Sequence, residues 1–239
     1  MTLLRKLSFL FFVPLLTVLF SCSARIDGVV REGGAADLSL KTALEPRTMA
    51  LIRSFRGFAG ETADEPVLDG PAIGRSMAAA SGLRSVSLRN TSPSALEGTI
   101  SISNVGDFLS AGGSRRFITY TEGRTAGTSS IVIVLERDSA PELISRLSPE
   151  VEDYLSVLMA PAVTGEVLTR QGYFDLLASV YSKALADEIA AARVRAYIDF
   201  PRPLTAVRGG TIAGRRAEFD IPLADLLVLE HPLRYEASW

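Results

Sequence analysis

The sequence is poor in the residue types that most often carry catalysis and metal binding, with one cysteine and one histidine in 239 residues. One cysteine excludes an internal disulfide and a cysteine-based zinc cluster, and one histidine excludes a histidine-rich metal site. No G-x-S-x-G motif precedes His231, so we expect this residue to lie on the surface at the start of a strand. We therefore predict a non-enzymatic protein with no catalytic residues, no cofactor and no metal.

The charge pattern also excludes one class of partner. The formal net charge is −2, and no run of basic residues occurs along the chain. Nucleic-acid-binding proteins carry a clustered positive surface, so we expect no nucleic-acid partner. The pair Gly209-Gly210 lies between two strand-like stretches, which favours a hairpin turn over a phosphate-binding loop.

The first 21 residues have the pattern of a signal peptide. Two cations, Arg5 and Lys6, precede the almost wholly apolar segment 7–20. Fourteen helical residues span about 21 Å, which is short of the roughly 30 Å hydrocarbon core of a bilayer. The pattern is therefore typical of a secretory signal rather than of a membrane-spanning helix.

The sequence around the single cysteine, Leu19-Phe20-Ser21-Cys22, resembles a bacterial lipobox. Phe20 stands where the usual pattern has a smaller residue, as in the relaxed lipoboxes of spirochaete-type lipoproteins. The resemblance implies signal cleavage after Ser21 and attachment of diacylglycerol and a further acyl chain, such as palmitate, to Cys22. The alternative is an ordinary thiol close to the cleavage site of a protein that carries no lipid.

The resemblance to a lipobox also predicts a location. Two or three acyl chains hold a protein durably on a membrane. We expect residues 22–239 to form a domain outside the cytoplasm, anchored through Cys22 to the cell membrane or the outer membrane. The expected partners are the membrane itself and either lipid or other envelope proteins.

Residues 22–239 are predicted to form a single α+β domain. Alternation of apolar and polar residues predicts strands near residues 26–42, 86–103, 129–135 and 194–239. Helical spacing of apolar residues predicts one helix near 46–58 and an αα-hairpin within 140–192. We therefore predict a mainly antiparallel sheet with an inserted αα-hairpin and several short helices.

Apolar residues of the predicted hairpin form the candidate ligand groove. These residues are Tyr154, Leu158, Phe174, Leu177 and Tyr181. They either pack as core over the sheet or line an apolar groove that accepts an acyl chain. The sequence leaves both interpretations open.

Three stretches resemble the LppM-like family of bacterial lipoproteins. They are ARIDGVVREGGAADLSL at 24–40, SVSLRNTSPSALEGTISISNVGDF at 85–108, and VRGGTIAGRRAEFDIPLADLL at 207–227. The resemblance implies an envelope-facing domain that binds lipid or glycolipid, and it implies no catalytic residues; the helical segment 140–192 lies outside it. Our hypothesis is an envelope lipoprotein that binds an amphipathic ligand. The alternative is a structural or protein-interaction lipoprotein without a ligand pocket.

Overall fold

A computed structural model describes residues 23–58, 65–78, 80–108, 117–125, 128–147 and 149–239. The predicted signal peptide, the cleavage site at Ser21 and the lipidation site at Cys22 lie outside the described residues. Within the described part, the chain forms two β-sheets and eight α-helices. The predicted α+β class is confirmed.

The larger sheet has seven strands in the order β3-β4-β2-β1-β7-β10-β9. Its strands are β1 Ser23–Val30, β2 Ala36–Ala43, β3 Leu83–Ser92, β4 Ala95–Ile102, β7 Arg193–Asp199, β9 Thr211–Ala213 and β10 Arg216–Pro222. Neighbouring strands are antiparallel except for β1 and β7, which pair in parallel. A parallel pair requires a long crossover connection, and here most of the helices lie between the two strands in the chain.

The smaller sheet has four antiparallel strands in the order β5-β6-β11-β8. Its strands are β5 Ile118–Thr121, β6 Ser130–Leu135, β8 Ala206–Arg208 and β11 Leu233–Ser238. The two sheets face each other because both have one apolar face that must be removed from water. The short turn at Gly209-Gly210 carries the chain from β8 in the smaller sheet to β9 in the larger one.

The eight helices pack on the strand pair β3–β4 and on one another. They are α1 Pro46–Phe58, α2 Gly70–Met77, α3 Ala140–Leu147, α4 Pro149–Val157, α5 Pro161–Thr164, α6 Arg170–Val180, α7 Lys183–Ala191 and α8 Leu223–Val228. Ile52 of α1 and Ile73 of α2 pack on Leu88 and Leu96 of the strand pair β3–β4. Within the described residues, no helix combines the length and the apolar character needed to cross a membrane.

The helical segment 140–192 differs in detail from the predicted two-helix hairpin, because it is divided into five helices, α3 to α7. Pro161 begins α5, and Gly165 ends it in the left-handed conformation with φ 74°. Ser182 then interrupts the predicted second helix, because its side chain accepts a hydrogen bond from the Leu185 amide and caps α7. The helical period continues across Ser182, so periodicity alone does not reveal this second break, whereas Pro161 and Gly165 are recognisable in the sequence as helix breakers.

Candidate functional site

The candidate site is an apolar cavity between the two sheets, which we call the intersheet cleft. Its volume is about 340 Å³, within the range of small-molecule sites in proteins. The larger sheet contributes Ile26, Leu38, Ala196, Ile198 and Phe219, among others. The smaller sheet contributes Ile118, Ile131, Ile133, Tyr235 and Ala237.

Strand register explains why the lining is apolar. In the larger sheet, Ile26 lies beside Ala196, which in turn lies beside Phe219. In the smaller sheet, Ile133 lies between Ile118 and Tyr235. Because side chains alternate between the two faces of a strand, each row of paired residues adds its apolar side chains to the same inner face.

Small residues in these rows leave the space open. Ala36, Ala196 and Ala237 all line the cleft, and none of them reaches far from its strand. Leu38 and Ile198 fill the space above Gly28, where a Cβ atom would lie 2.6 Å from Leu38 Cδ2 and 2.8 Å from a methyl group of Ile198. The open space therefore lies over the alanines and not over this glycine, although protein interiors are normally close-packed.

A buried aromatic cluster lies behind one end of the cleft, where Phe200 and Ala237 of the lining pack in the same core as Trp239. Trp239 is fully buried, and its ring centroid lies 4.8 Å from that of Phe200 and 6.2 Å from that of Tyr120. Val30 and Ala237, which line this end, are almost completely buried as well. We call this region the closed end.

Away from the closed end, the lining residues are only half-buried. Ile26, Ile133, Leu135 and Ile221 all keep part of their surface free of protein contact. Apolar side chains are normally covered in a folded domain. A hydrophobic ligand would therefore gain most of its binding free energy by covering these exposed apolar surfaces.

The electrostatics of the cleft favour hydrocarbon over a polar ligand. The lining is apolar apart from Tyr235 and Glu236, and the Glu236 carboxylate is paired with the Arg234 guanidinium at 2.8 Å. Burial raises the pKa of Tyr235, and the nearby Asp225 carboxylate adds to this shift. A charged group placed in such a lining would lose its hydration without gaining a partner.

The opposite face of the larger sheet is covered with paired charges. Arg25 binds Asp27 at 2.7 Å, and Arg216 binds Asp199 at 2.8 Å. The hydrogen bond from Arg25 lowers the pKa of Asp27, although desolvation partly opposes the shift. The larger sheet thus has one apolar face towards the cleft and one polar, exposed face, as expected for an antiparallel sheet that covers a core on one side.

The predicted groove residues lie elsewhere, within the packed helices. Leu158 and Leu177 are buried in one helical cluster, with Phe174 and Tyr181 packed against it. Tyr154 is buried in a different cluster, beside residues of α1 and β3. The described lining of the intersheet cleft includes none of the five.

Hydrogen bonds also hold the helical tyrosines in place. Tyr173 Oη donates to the Leu158 carbonyl at 2.9 Å, and Tyr181 Oη donates to the Val157 carbonyl at 2.7 Å. These bonds tie α6 and the residue that follows it to the end of α4. The single histidine, His231, is largely exposed at 85% of its side chain, and its Nε2 lies 4.0 Å from a Glu230 carboxylate oxygen.

The cleft residues could have been found from one sequence signal. The stretch Ile131-Val132-Ile133-Val134-Leu135 is apolar at every position, which indicates that both faces of β6 meet apolar surroundings. Ile131, Ile133 and Leu135 face the cleft. The residues opposite them come from distant parts of the chain, so local pattern does not identify them.

Comparison with known proteins shows a distant structural likeness. No protein-family model matches the sequence, and no curated protein is significantly similar to it. The NMR structure of the folded domain of Mycobacterium tuberculosis LppM is similar with a TM-score of 0.37 and 10% identity, covering 92% of this chain and 89% of that chain. At this identity and TM-score the likeness does not identify a function, which we infer from the cleft alone.

Proposed function

We propose that this protein is a lipid-anchored envelope protein whose domain binds the hydrocarbon part of an amphipathic ligand in the intersheet cleft. The observation that carries the proposal is the 340 Å³ cleft with an almost wholly apolar lining. The proposed activity is binding, and it includes no chemical reaction.

The binding energy would come from burial of methylene groups. Each buried methylene contributes about 0.8 kcal/mol, and the half-buried residues Ile26, Ile133 and Leu135 supply uncovered apolar surface for this contact. A polar headgroup would remain outside, because the lining offers it few partners. A ligand with both parts, such as a membrane lipid, fits these requirements.

The proposed anchor is the lipidated Cys22. Strand β1 begins at Ser23, the residue that directly follows this cysteine. The domain would therefore begin at the anchor without a linker and would be held against the membrane surface. This arrangement would keep the cleft within reach of membrane lipids.

The anchor is tested by metabolic labelling of the full chain with radioactive palmitate. Label is expected in the wild type and not in Cys22→Ala. Equal labelling of both proteins would refute lipidation at Cys22, whatever the cleft binds.

The binding proposal is tested by native mass spectrometry of the full chain purified in mild detergent. A lipid-sized adduct is expected for the wild type. Ile133→Asn places an amide inside the cleft and should reduce the adduct strongly, whereas the exposed Thr119→Asn on the neighbouring strand is a matched control that should retain it. Circular dichroism establishes that both variants are folded.

Absence of any adduct in the folded wild type, together with no uptake of added lipid, would exclude the binding proposal. That result would favour the alternative of a structural or protein-interaction lipoprotein. The fully buried Tyr173, Leu177 and Ile189 of the helical cluster show a well-packed core outside the cleft, as that alternative also requires.

A further inference from the structure

We infer that the intersheet cleft limits the length of the acyl chain that it binds, accepting about ten carbons of one chain whose tip stops at the closed end. The inference rests on the proposed binding function and names its ligand class and its specificity-determining residues. Ala237 and Ala196 set the limit, and Trp239 lies behind it.

The dimensions of the cleft indicate a single chain. The lining follows β1 from Ile26 to Val30, four residues or about 13 Å at 3.3 Å per residue. Dividing the volume of the cleft by this length gives a mean cross-section of about 26 Å². This area is enough for one hydrocarbon chain but not for two side by side.

The volume sets the number of carbons. A methylene group is similar in size to a water molecule, whose share of liquid volume is about 30 Å³. A cleft of 340 Å³ therefore holds roughly ten or eleven methylenes. A longer chain would leave its remaining carbons outside, next to the headgroup.

The closed end is a rigid stop. Ala237 faces the cleft on β11, and Trp239 follows two residues later on the same side of the chain. The Trp239 ring is fully buried against Phe200. A chain tip that reaches Ala237 therefore meets packed aromatic rings and cannot advance further.

Two alanines control the space in front of this stop. Ala237 lines the closed end, whereas Ala196 lies between Ile26 and Phe219 in the middle of the larger sheet. Replacing either alanine by leucine adds three carbons to the wall. Since these carbons displace a similar volume of ligand, the longest chain that fits should shorten by about three carbons.

Trp239 provides a direct measure of depth because it is the only tryptophan in the chain. Bromine quenches tryptophan fluorescence only at short range. Carboxylic acids with bromine on the terminal carbon and six to sixteen carbons in total are therefore suitable probes. The full chain is held on phosphatidylcholine vesicles, and Trp239 emission is recorded with each probe.

In the wild type, we expect little quenching by the six-carbon probe, a rise with each added carbon, and a plateau near ten to twelve carbons. Affinity should rise about fourfold per carbon up to the same length and then level off. In Ala237→Leu, the affinity should level off about three carbons earlier, and the quenching plateau should be lower because the bromine stops further from Trp239.

Two further variants distinguish a change in the length of the cleft from an effect of misfolding. Val30→Ala removes two carbons from the wall at the closed end and should move the affinity plateau up by about two carbons, the opposite direction to Ala237→Leu. Ala213→Leu makes the same alanine-to-leucine change at an exposed position on β9 and should leave both plateaus unchanged.

The outcomes separate this inference from the proposed function. Quenching and affinity that level off at the same length in the wild type, Ala237→Leu and Val30→Ala would overturn the length limit while leaving chain binding intact. Failure of every probe to bind or to quench Trp239 in the folded wild type would overturn both.

Discussion

The buried carboxylate of Glu188, on α7, caps the N-terminus of α1, and this contact gives the sharpest stability prediction. Glu188 of α7 accepts hydrogen bonds from the Thr48 amide at 2.7 Å, from the Thr48 hydroxyl at 2.6 Å and from the Arg47 amide at 3.3 Å. Both amides belong to the first turn of α1, where backbone N–H groups have no partner within the helix. Pro46, the first residue of α1, has no N–H, so one side chain satisfies both of the free amides that follow it.

The burial of this cap sets the size of the effect. The Glu188 side chain is only 7% exposed, and Thr48 is 1% exposed. Hydrogen bonds to a charged group contribute about 1.5–3 kcal/mol each, although they are not additive. A carboxylate at a helix N-terminus adds a favourable interaction with the helix dipole. We therefore expect Glu188→Ala to lower the free energy of unfolding by about 3 kcal/mol.

The assay is urea denaturation followed by circular dichroism, together with thermal unfolding. A loss of about 3 kcal/mol corresponds to a decrease in Tm of about 6–12 °C for a domain of this size. The matched control is Asp187→Ala, the adjacent residue on α7, whose side chain is 63% exposed and pairs with Lys183 one turn away. Its effect should stay within about 0.5 kcal/mol.

A double-mutant cycle identifies the interaction. Because Thr48→Val removes the hydroxyl that donates to Glu188, its cost should be smaller in the Glu188→Ala background by about 1 kcal/mol or more. Equal stability of Glu188→Ala and Asp187→Ala, or full additivity in the cycle, would refute the capping role.

Three further predictions test contacts in other parts of the domain. Tyr173→Phe removes the hydrogen bond to the Leu158 carbonyl and should lower the free energy of unfolding, measured by urea denaturation, by about 1–2 kcal/mol. Burial also raises the pKa of Tyr173. The stability of the wild type should therefore fall as the pH rises above the usual tyrosine pKa, and the stability of the variant should fall less. Gly98→Ala would place a Cβ atom in steric conflict with the Ser87 carbonyl oxygen of β3 and 2.8 Å from Leu88 Cα, so it should cost about 3 kcal/mol or more, and an unchanged urea midpoint would contradict this contact. Asp199→Asn removes the ion pair with Arg216, whose hydrogen bond lowers the pKa of Asp199. The stabilisation is present above the usual aspartate pKa and is lost as the pH falls through the lowered pKa, so a difference in stability of at most about 1 kcal/mol between the variant and the wild type near pH 6 should disappear in acid.

The sequence alone was enough to predict the fold class and several of the strands. Alternation at Ile26, Gly28 and Val30, with Asp27 between the first two, predicts a half-buried strand, and β1 spans Ser23–Val30. The same reasoning predicts the hairpin of β1 with β2 and the last strand, which the structure also contains. These features depend on local periodicity, which is present in any short stretch of sequence.

The helices show where local pattern stops being sufficient. The spacing of Leu177, Tyr181 and Leu185 continues the helical period, yet Ser182 ends one helix and caps the next. The same apolar stripe suits a packed core and an open groove equally well. Only the neighbours on other helices decide which of the two forms, as with Leu158, which meets Tyr173 and Leu177.

Tertiary structure alone decided the position of the cleft. Ile26, Ala196 and Phe219 become neighbours through the parallel pairing of β1 with β7 and the antiparallel pairing of β7 with β10. Periodicity shows that each strand has an apolar face, but it contains no information on which distant strand will lie beside it or opposite it. The cleft exists because small residues from separate parts of the chain meet at the same depth between two sheets, and that coincidence is a property of long-range packing.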